Sequence, residues 1–172
     1  MAQNLLSDNQ ADVETDTTGF ILQGSGSLVR STDEQAHGVA SLKIDTGGLG
    51  ASQGARTDSA DVDASATYTA SVYLKGTGTV RLNLEERNAG DKQESIVQTA
   101  IITLTSSWVR YEISSVFGAS GVAARIIVMT DIAQTITFYM DKLQIEKASA
   151  ATLWRLPSKW SARNVGRDLV VI

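Results

Sequence analysis

Apolar and polar residues alternate along several stretches of the chain, and this alternation predicts β-strands that bury one face. In the clearest stretch, residues 66–75, the apolar side consists of Tyr68, Ala70, Val72 and Leu74. The glycines at 76 and 78 predict a turn. Because alternation resumes over residues 80–85, the two stretches together predict a β-hairpin.

The same pattern recurs downstream and, more briefly, upstream. Downstream, one further hairpin is predicted at 98–104 with 108–114 and another at 125–130 with 135–146. Upstream, two short strands are predicted at 27–30 and 39–45. About eight strands with no helix of three turns predict an all-β protein, a two-sheet antiparallel β-sandwich. The glycine-rich stretch 46–60 predicts a long loop at one rim. Tyr68, Phe138 and one of Trp108 or Tyr111 are the expected aromatic core residues.

Composition narrows the class of protein. The chain has 172 residues, of which 42% are hydrophobic and 20% are charged, and this is enough for one soluble domain with its own core. Serine (18) and threonine (17) are abundant, and hydroxyl side chains of this kind favour strands and turns. The absence of cysteine excludes disulfides, thiolate metal sites and a cysteine nucleophile. No signal peptide or membrane span is expected, since no segment has the required apolar run.

Charge divides the chain into two parts. The first 147 residues, which are expected to form the sandwich, carry a net charge of −7. Residues 148–172 carry a net charge of +3 and are expected to form a C-terminal extended arm. Because the arm also holds two tryptophans and an apolar end, we expect it to form contacts. Either Trp154 packs back on the sandwich and the rest of the arm adds an edge strand, or the arm binds another subunit or a shell. The candidate interaction residues are Trp154, Arg155, Trp160, Arg163, Arg167, Leu169 and Val171.

No residue pattern in the chain predicts catalysis. The single histidine, His37, lies in a turn-like context, and no serine has the surroundings of a nucleophile elbow. Glu85 and Glu86 are adjacent on a predicted strand and therefore point to opposite faces. We expect no direct nucleic-acid binding, because the body is acidic and its strands lack aromatic residues interleaved with basic ones.

Several short segments follow one another in a recognisable order. They are Asn4-Leu5-Leu6, the segment 9–14, Ser41-Leu42-Lys43, the strand Tyr68 to Lys75, Trp108 to Tyr111, Phe138 to Glu146, and Ala151-Thr152-Leu153-Trp154. This order resembles the galactose-binding-like jelly roll of carbohydrate-binding modules of the family 4/9 type, and the resemblance covers about residues 4–154. Jelly rolls with this Ala-Thr-x-Trp ending also resemble structural proteins of bacteriophages.

The resemblance implies two sites. Family members often carry a structural calcium, for which Glu14 and Asp141 are the candidate ligands, and no other cofactor is expected. Strand alternation predicts that Lys142, next to Asp141, points to the opposite face. Sugar-binding members present aromatic rings to the sugar, and here the candidates are Tyr73 with Arg81 and Asn83 on the neighbouring strand. Alternatively, Tyr73 only packs across strands.

We hypothesise a non-enzymatic structural protein of a phage virion, a capsid decoration or cement protein that assembles in the host cytoplasm. The expected partners are a major capsid protein or another virion protein. A homo-oligomer is also expected, for which family analogy suggests a trimer. The alternative hypothesis is a carbohydrate-binding adhesion module, tail-associated or appended to another protein, that recognises a cell-surface glycan.

Overall fold

The structure is a computed structural model that describes residues 3–157. One short helix, α1 (Asp8–Asp12), begins at a capping box formed by Ser7 and Gln10. The strands that follow are β1 (Phe20–Gln23), β2 (Gly26–Ser31), β3 (Ser41–Thr46), β4 (Gly54–Thr57), β5 (Ala60–Asp61), β6 (Thr67–Gly76), β7 (Thr79–Arg87), β8 (Gln93–Gln98), β9 (Ile102–Thr103), β10 (Val109–Val116), β11 (Ala123–Thr130) and β12 (Thr137–Glu146).

Two antiparallel sheets pack face to face within these residues. The seven-stranded sheet has the order β1-β4-β11-β7-β8, with β5 beside β11 and β9 beside β7. The five-stranded sheet has the order β10-β6-β12-β3-β2. This arrangement confirms the predicted all-β sandwich of jelly-roll type.

The core lies between the two sheets, where alternate residues of each strand point inward. Tyr68, Val72 and Leu74 of β6 are buried there, as the alternation predicts. Phe138 is also fully buried. Tyr111 packs against the core, whereas Trp108 contacts the Tyr139 ring with the ring centroids 6.5 Å apart. The inward side chains of the two sheets therefore form one continuous apolar layer.

The three predicted hairpins do not form, because consecutive strands lie in different sheets. β6 pairs with β10 and β12, whereas β7 pairs with β11, β8 and β9. Likewise β9 and β11 belong to the seven-stranded sheet, and their successors β10 and β12 belong to the five-stranded sheet. At the first of these crossings Gly76 and Gly78 have φ values of +149° and +85°, which residues with a Cβ rarely adopt. Alternation locates the apolar face of a strand but does not say which sheet contains it.

The prediction of a long loop over residues 46–60 is partly wrong, because β4 lies within this stretch and β5 begins at its end. β4 is short and pairs on both sides, with β1 and with β11. A further difference concerns the predicted strand 98–104, which is replaced by β8 and the two-residue β9. Such short segments have too few alternating positions to give a period in the sequence.

The described part of the predicted arm ends at residue 157 and has no strand or helix. Trp160, Arg163, Arg167, Leu169 and Val171 lie outside the described residues. Within residues 3–157, no helix is long and apolar enough to cross a membrane.

Close packing of β4 on β11 requires glycine at position 54. A Cβ on Gly54 would lie 2.0 Å from the Val128 carbonyl oxygen, a backbone atom that cannot move away alone. We expect Gly54→Ala to lower the free energy of unfolding by about 1–3 kcal/mol, because the two strands must separate. Gly50→Ala is the control, since a Cβ there meets nothing within 4 Å. Urea denaturation measures both, and equal stability of the two variants would contradict this packing.

Candidate functional site

The three residues predicted to bind sugar lie on opposite faces of the sandwich. Tyr73 is on the outer face of the five-stranded sheet, whereas Arg81 and Asn83 belong to β7 in the seven-stranded sheet. Asn83 is fully buried, and its amide donates to the Ile127 carbonyl oxygen at 3.1 Å. The structure therefore does not bring the three side chains into one site.

Tyr73 is half-buried and flanked by two cations. The Lys142 ammonium lies 5.0 Å from the centre of its ring, and the Arg110 guanidinium lies 6.0 Å from it. Lys142 is also 5.3 Å from the centre of the Trp154 ring. These distances are within the range of cation–π contacts. The Tyr73 ring is thus already engaged by side chains of its own chain.

Residues 148–157, here called the C-terminal segment, cross this outer face. Thr69 donates its hydroxyl to the Ala148 carbonyl oxygen at 2.8 Å. Thr152 donates its backbone N–H and its hydroxyl to the two carboxylate oxygens of Glu146, at 2.6 and 2.8 Å. Trp154 packs against His37, with the ring centroids 4.8 Å apart. Trp154 therefore packs on its own sandwich, the described residues 148–157 form no edge strand, and a contact of the arm with another subunit or a shell stays a prediction.

The two predicted calcium ligands contact the same loop, residues 34–40, but accept hydrogen bonds from its backbone. Asp141 Oδ2 accepts from Ala36 N–H and His37 N–H at 2.7 and 2.9 Å. Glu14 Oε1 accepts from the N–H groups of Val39 and Ala40 at 2.9 and 3.4 Å. Within residues 3–157 there is no group of three or more metal-ligating side chains that could hold an ion.

Lys142 points to the same face as Asp141, contrary to the prediction from alternation. A β-bulge interrupts the pairing of β12 with β6 between Asp141 and Gln144, and Lys142 has φ +51°. Such a bulge breaks the two-residue repeat of side-chain directions. The ammonium group therefore lies on the side of the carboxylates, where it opposes a divalent cation. These residues do not fit the calcium site that the resemblance implies.

Burial dominates the electrostatics of this carboxylate cluster. Asp141 is fully buried, and burial raises its pKa from 3.8 to about 6, although three backbone N–H donors partly offset the effect. Burial also raises the pKa of Asp12, whose carboxylate lies 3.0 Å from His37 Nδ1. His37 therefore has a partner in the cluster, and this contact accounts for its position.

The outer face of the seven-stranded sheet carries an open groove of about 480 Å³. Strands β1, β4, β11, β7 and β8 contribute to it. It is lined by Gln23, Ser52, Arg56, Glu85, Arg87, Gln93, Ile96, Arg125, Ile127 and Met129. Within the described residues no aromatic side chain lines this groove.

Ion pairs fix one end of the groove. Arg87 pairs with Glu85 through Nη1 and with Asp91 through Nε at 3.3 Å. Arg125 Nη2 lies 2.7 Å from the same Asp91 oxygen, and Arg125 Nε donates to Ser59 at 2.8 Å. The contacts with the two arginines lower the pKa of Asp91. The paired carboxylates hold both guanidinium groups in place on the sheet.

The sequence predictions do not include Arg56, Arg87 or Arg125. A signal was present, because polar residues occupy every second position of strands whose other positions are apolar. The sequence does not show which strands are neighbours, however, and so it does not show that these polar positions share one face. The pairing of Arg125 with Glu85 is an example. Glu85 and Glu86 do point to opposite sides, Glu85 to Arg87 and Glu86 to Ser95 and Gly118.

Comparison with known families identifies a match over most of the chain. The sequence profile of a carbohydrate binding domain family, the 4/9 type, matches residues 4–132. No curated protein sequence matches the chain. The match confirms the predicted resemblance and favours the glycan-binding alternative, whereas none of the comparisons supports capsid decoration.

Solved structures share the fold at low sequence identity. The CBM22-1 xylan-binding domain of Paenibacillus barcinonensis Xyn10C aligns with a TM-score of 0.67 and 21% identity, over 87% of this chain and 97% of that one. The C-terminal family 22 carbohydrate binding module of Clostridium thermocellum Xyn10B aligns with a TM-score of 0.62 and 16% identity, over 88% and 94%. The enzymatically active domain of tailspike protein 4 of bacteriophage CBA120 aligns with a TM-score of 0.68 and 11% identity, over 83% and 21%. At these identities the likeness establishes the fold alone.

Calcium should not stabilise this protein, because backbone N–H groups and Lys142 already surround the carboxylates. A bound ligand at a hundred times its Kd adds about 2.7 kcal/mol to the free energy of unfolding, enough to shift Tm by several degrees. Thermal denaturation in millimolar CaCl₂ and in EDTA should give the same Tm. A higher Tm in calcium than in EDTA would show that the folded chain binds calcium and would contradict this prediction.

The raised pKa of Asp141 makes its contribution to stability depend on pH. Because the folded state binds this proton more tightly, that contribution is present at about pH 4 and is lost as the pH rises through about 6. We expect the wild type to lose up to about 3 kcal/mol relative to Asp141→Asn between about pH 4 and pH 7.5. Urea unfolding of both proteins at each pH measures the difference. A difference that is constant across this range would show that burial does not perturb the carboxyl.

Proposed function

The chain belongs to the carbohydrate binding domain family of the 4/9 type, and from this membership we propose that it is a glycan-binding module without catalytic activity. The groove on the outer face of the seven-stranded sheet is the proposed binding site. The observation that carries this assignment is that the groove is open to solvent, whereas two cations of the chain itself flank the Tyr73 ring on the other face.

The shape and chemistry of the groove support an extended ligand. Its 480 Å³ lie within the range of small-molecule sites, which is about 300–1,000 Å³. Ile127 and Met129 form an apolar floor in the central strand β11, and Gln23 and Gln93 supply amides from two outer strands. A sugar ring has an apolar C–H face and a rim of hydroxyls, and this combination of floor and amides complements both.

The Tyr73 face is less suited to bind a glycan. The C-terminal segment crosses it, and Lys142 and Arg110 flank the ring on which a sugar would stack. A sugar that stacked on Tyr73 would compete with these two cations for the ring. Tyr73 packing across strands, the alternative considered from the sequence, fits these contacts better.

A virion role remains a prediction. Assembly with a capsid or other virion protein, oligomerisation and location in a phage particle all depend on contacts that a single chain does not contain. A glycan-binding module is compatible with such a location, since an adhesin on a particle also needs to bind surface sugars.

A groove-filling variant tests the proposed site. We expect the full chain to bind at least one polysaccharide in affinity gel electrophoresis against a panel of neutral and charged glycans. Met129→Trp places a bulkier side chain in the groove and should weaken that binding by roughly tenfold or more, because the indole occupies space that the ligand fills.

Two further variants serve as controls. Val116→Trp adds the same indole at an exposed position of β10 and should leave binding unchanged. Tyr73→Ala should also retain binding. Loss of binding in Tyr73→Ala with retention in Met129→Trp would move the site to the other face, and no binding to any glycan would reject the function.

A further inference from the structure

We propose that the groove selects an anionic saccharide, such as a uronate, through Arg56 in its lining and Arg81, which lies outside the lining but next to Met129 on the same sheet. This inference rests on the proposed glycan-binding function and specifies the class of sugar. It starts from the charge of the lining, in which three arginines face one glutamate for a net charge of +2. The whole chain carries −4, so the groove is a basic site on an acidic protein.

The four arginines on this face differ in their partners. Arg87 and Arg125 are paired with Glu85 and Asp91, and these contacts neutralise much of their charge. Among the described residues, no carboxylate contacts Arg56 or Arg81. Arg81 Nη1 donates only to the Thr99 carbonyl oxygen, at 2.9 Å. Two cations on the same face are therefore free to bind an anion.

Arg56 also has an unsatisfied donor. Its Nη1 atom is buried and has no hydrogen-bond acceptor in the structure. A buried donor without a partner costs roughly 1–3 kcal/mol, and more when it is charged. Because the chain encloses Nη1 itself, a ligand in the groove would bind the other nitrogens of this guanidinium, through which arginine can form two parallel hydrogen bonds to a carboxylate.

The register of the strands places the two arginines on either side of β11, two residues apart along that strand. Arg56 of β4 lies opposite Ile127 of β11, and Arg81 of β7 lies opposite Met129 of the same strand. Neighbouring strands are about 4.8 Å apart, so the two backbones are separated by about 10 Å. Long arginine side chains on β4 and β7 can both reach a ligand that lies above β11.

The lining also disfavours two other ligands. Neutral sugars gain much of their affinity by stacking on aromatic rings, and no aromatic side chain lines the groove in the described part of the chain. Single-stranded nucleic acids need the same rings for base stacking. Charge is the strongest attraction that this surface offers, and it acts on a sugar with a carboxylate or sulfate group.

The test compares matched ligands on the full-length chain by isothermal titration calorimetry. The probes are oligogalacturonate, its methyl ester, heparin, xylohexaose and oligo(dT). We expect oligogalacturonate to bind roughly tenfold or more tightly than its uncharged methyl ester, with an affinity that falls as salt rises. Binding of heparin alone among the charged sugars would support an anionic saccharide and identify sulfate as its source.

Two substitutions assign the effect to the groove. Arg56→Gln should weaken binding of the charged sugar by roughly tenfold or more, while Tm stays the same or rises because an unsatisfied buried donor is removed. Arg110→Gln is the matched control: Arg110 also has a buried guanidinium nitrogen without a partner, but it lies on the Tyr73 face. It should not affect binding.

Several outcomes would overturn the inference. If the methyl ester or xylohexaose binds as tightly as oligogalacturonate, and binding is sensitive to Met129→Trp, the module binds glycans but does not select anions. If oligo(dT) binds as tightly as the charged sugars, the groove is a general polyanion site. A loss caused by Arg110→Gln but not by Arg56→Gln would place the anion on the other face. If no saccharide binds, the proposed function fails as well.

Discussion

Each strand of this chain has one apolar face, and burial of these faces against each other is the constraint on which the structure depends. Fully burying a large aliphatic or aromatic side chain contributes about 1.5–3 kcal/mol, and most of the inward positions of β6, β7, β11 and β12 are occupied by such residues. Consecutive strands therefore face each other across the core in several cases and do not pair side by side. The connections between sheets, and with them the two outer faces, follow from this arrangement.

The positions of the long strands were predictable from the sequence, but those of several short strands and the partners of all strands were not. The alternation over β6, β7 and β12 is long enough to fix both the strand and its buried side. Two facing strands and two paired strands show the same alternation, however, so Tyr73 and Arg81 were expected side by side although they lie on opposite faces. The cations of the groove come from β4, β7 and β11, which are distant in sequence, and only the sheet order brings them together.

The bulge in β12 shows how one local irregularity changes the chemistry of a face. Regular alternation would direct Lys142 away from Asp141, whereas the bulge places its ammonium beside Tyr73 and Trp154. The carboxylates there accept hydrogen bonds from the backbone of residues 36–40 and interact with cations of the chain itself. The sequence shows a Glu and an Asp with a neighbouring Lys, but it does not show the bulge, because no residue type encodes a bulge uniquely.

The two outer faces satisfy their charges in different ways, and this difference bears on where a ligand can bind. Each face has a guanidinium nitrogen that is buried without an acceptor, in Arg56 on the groove face and in Arg110 on the Tyr73 face. On the Tyr73 face, the cations Arg110 and Lys142 lie over the Tyr73 ring, so both are engaged by the chain itself. On the groove face, no carboxylate or aromatic ring of the described residues contacts Arg56. The net charge of −4 conceals this contrast, because it averages an acidic surface and a basic groove. The location of unpaired charge, more than its total, indicates which face meets a ligand.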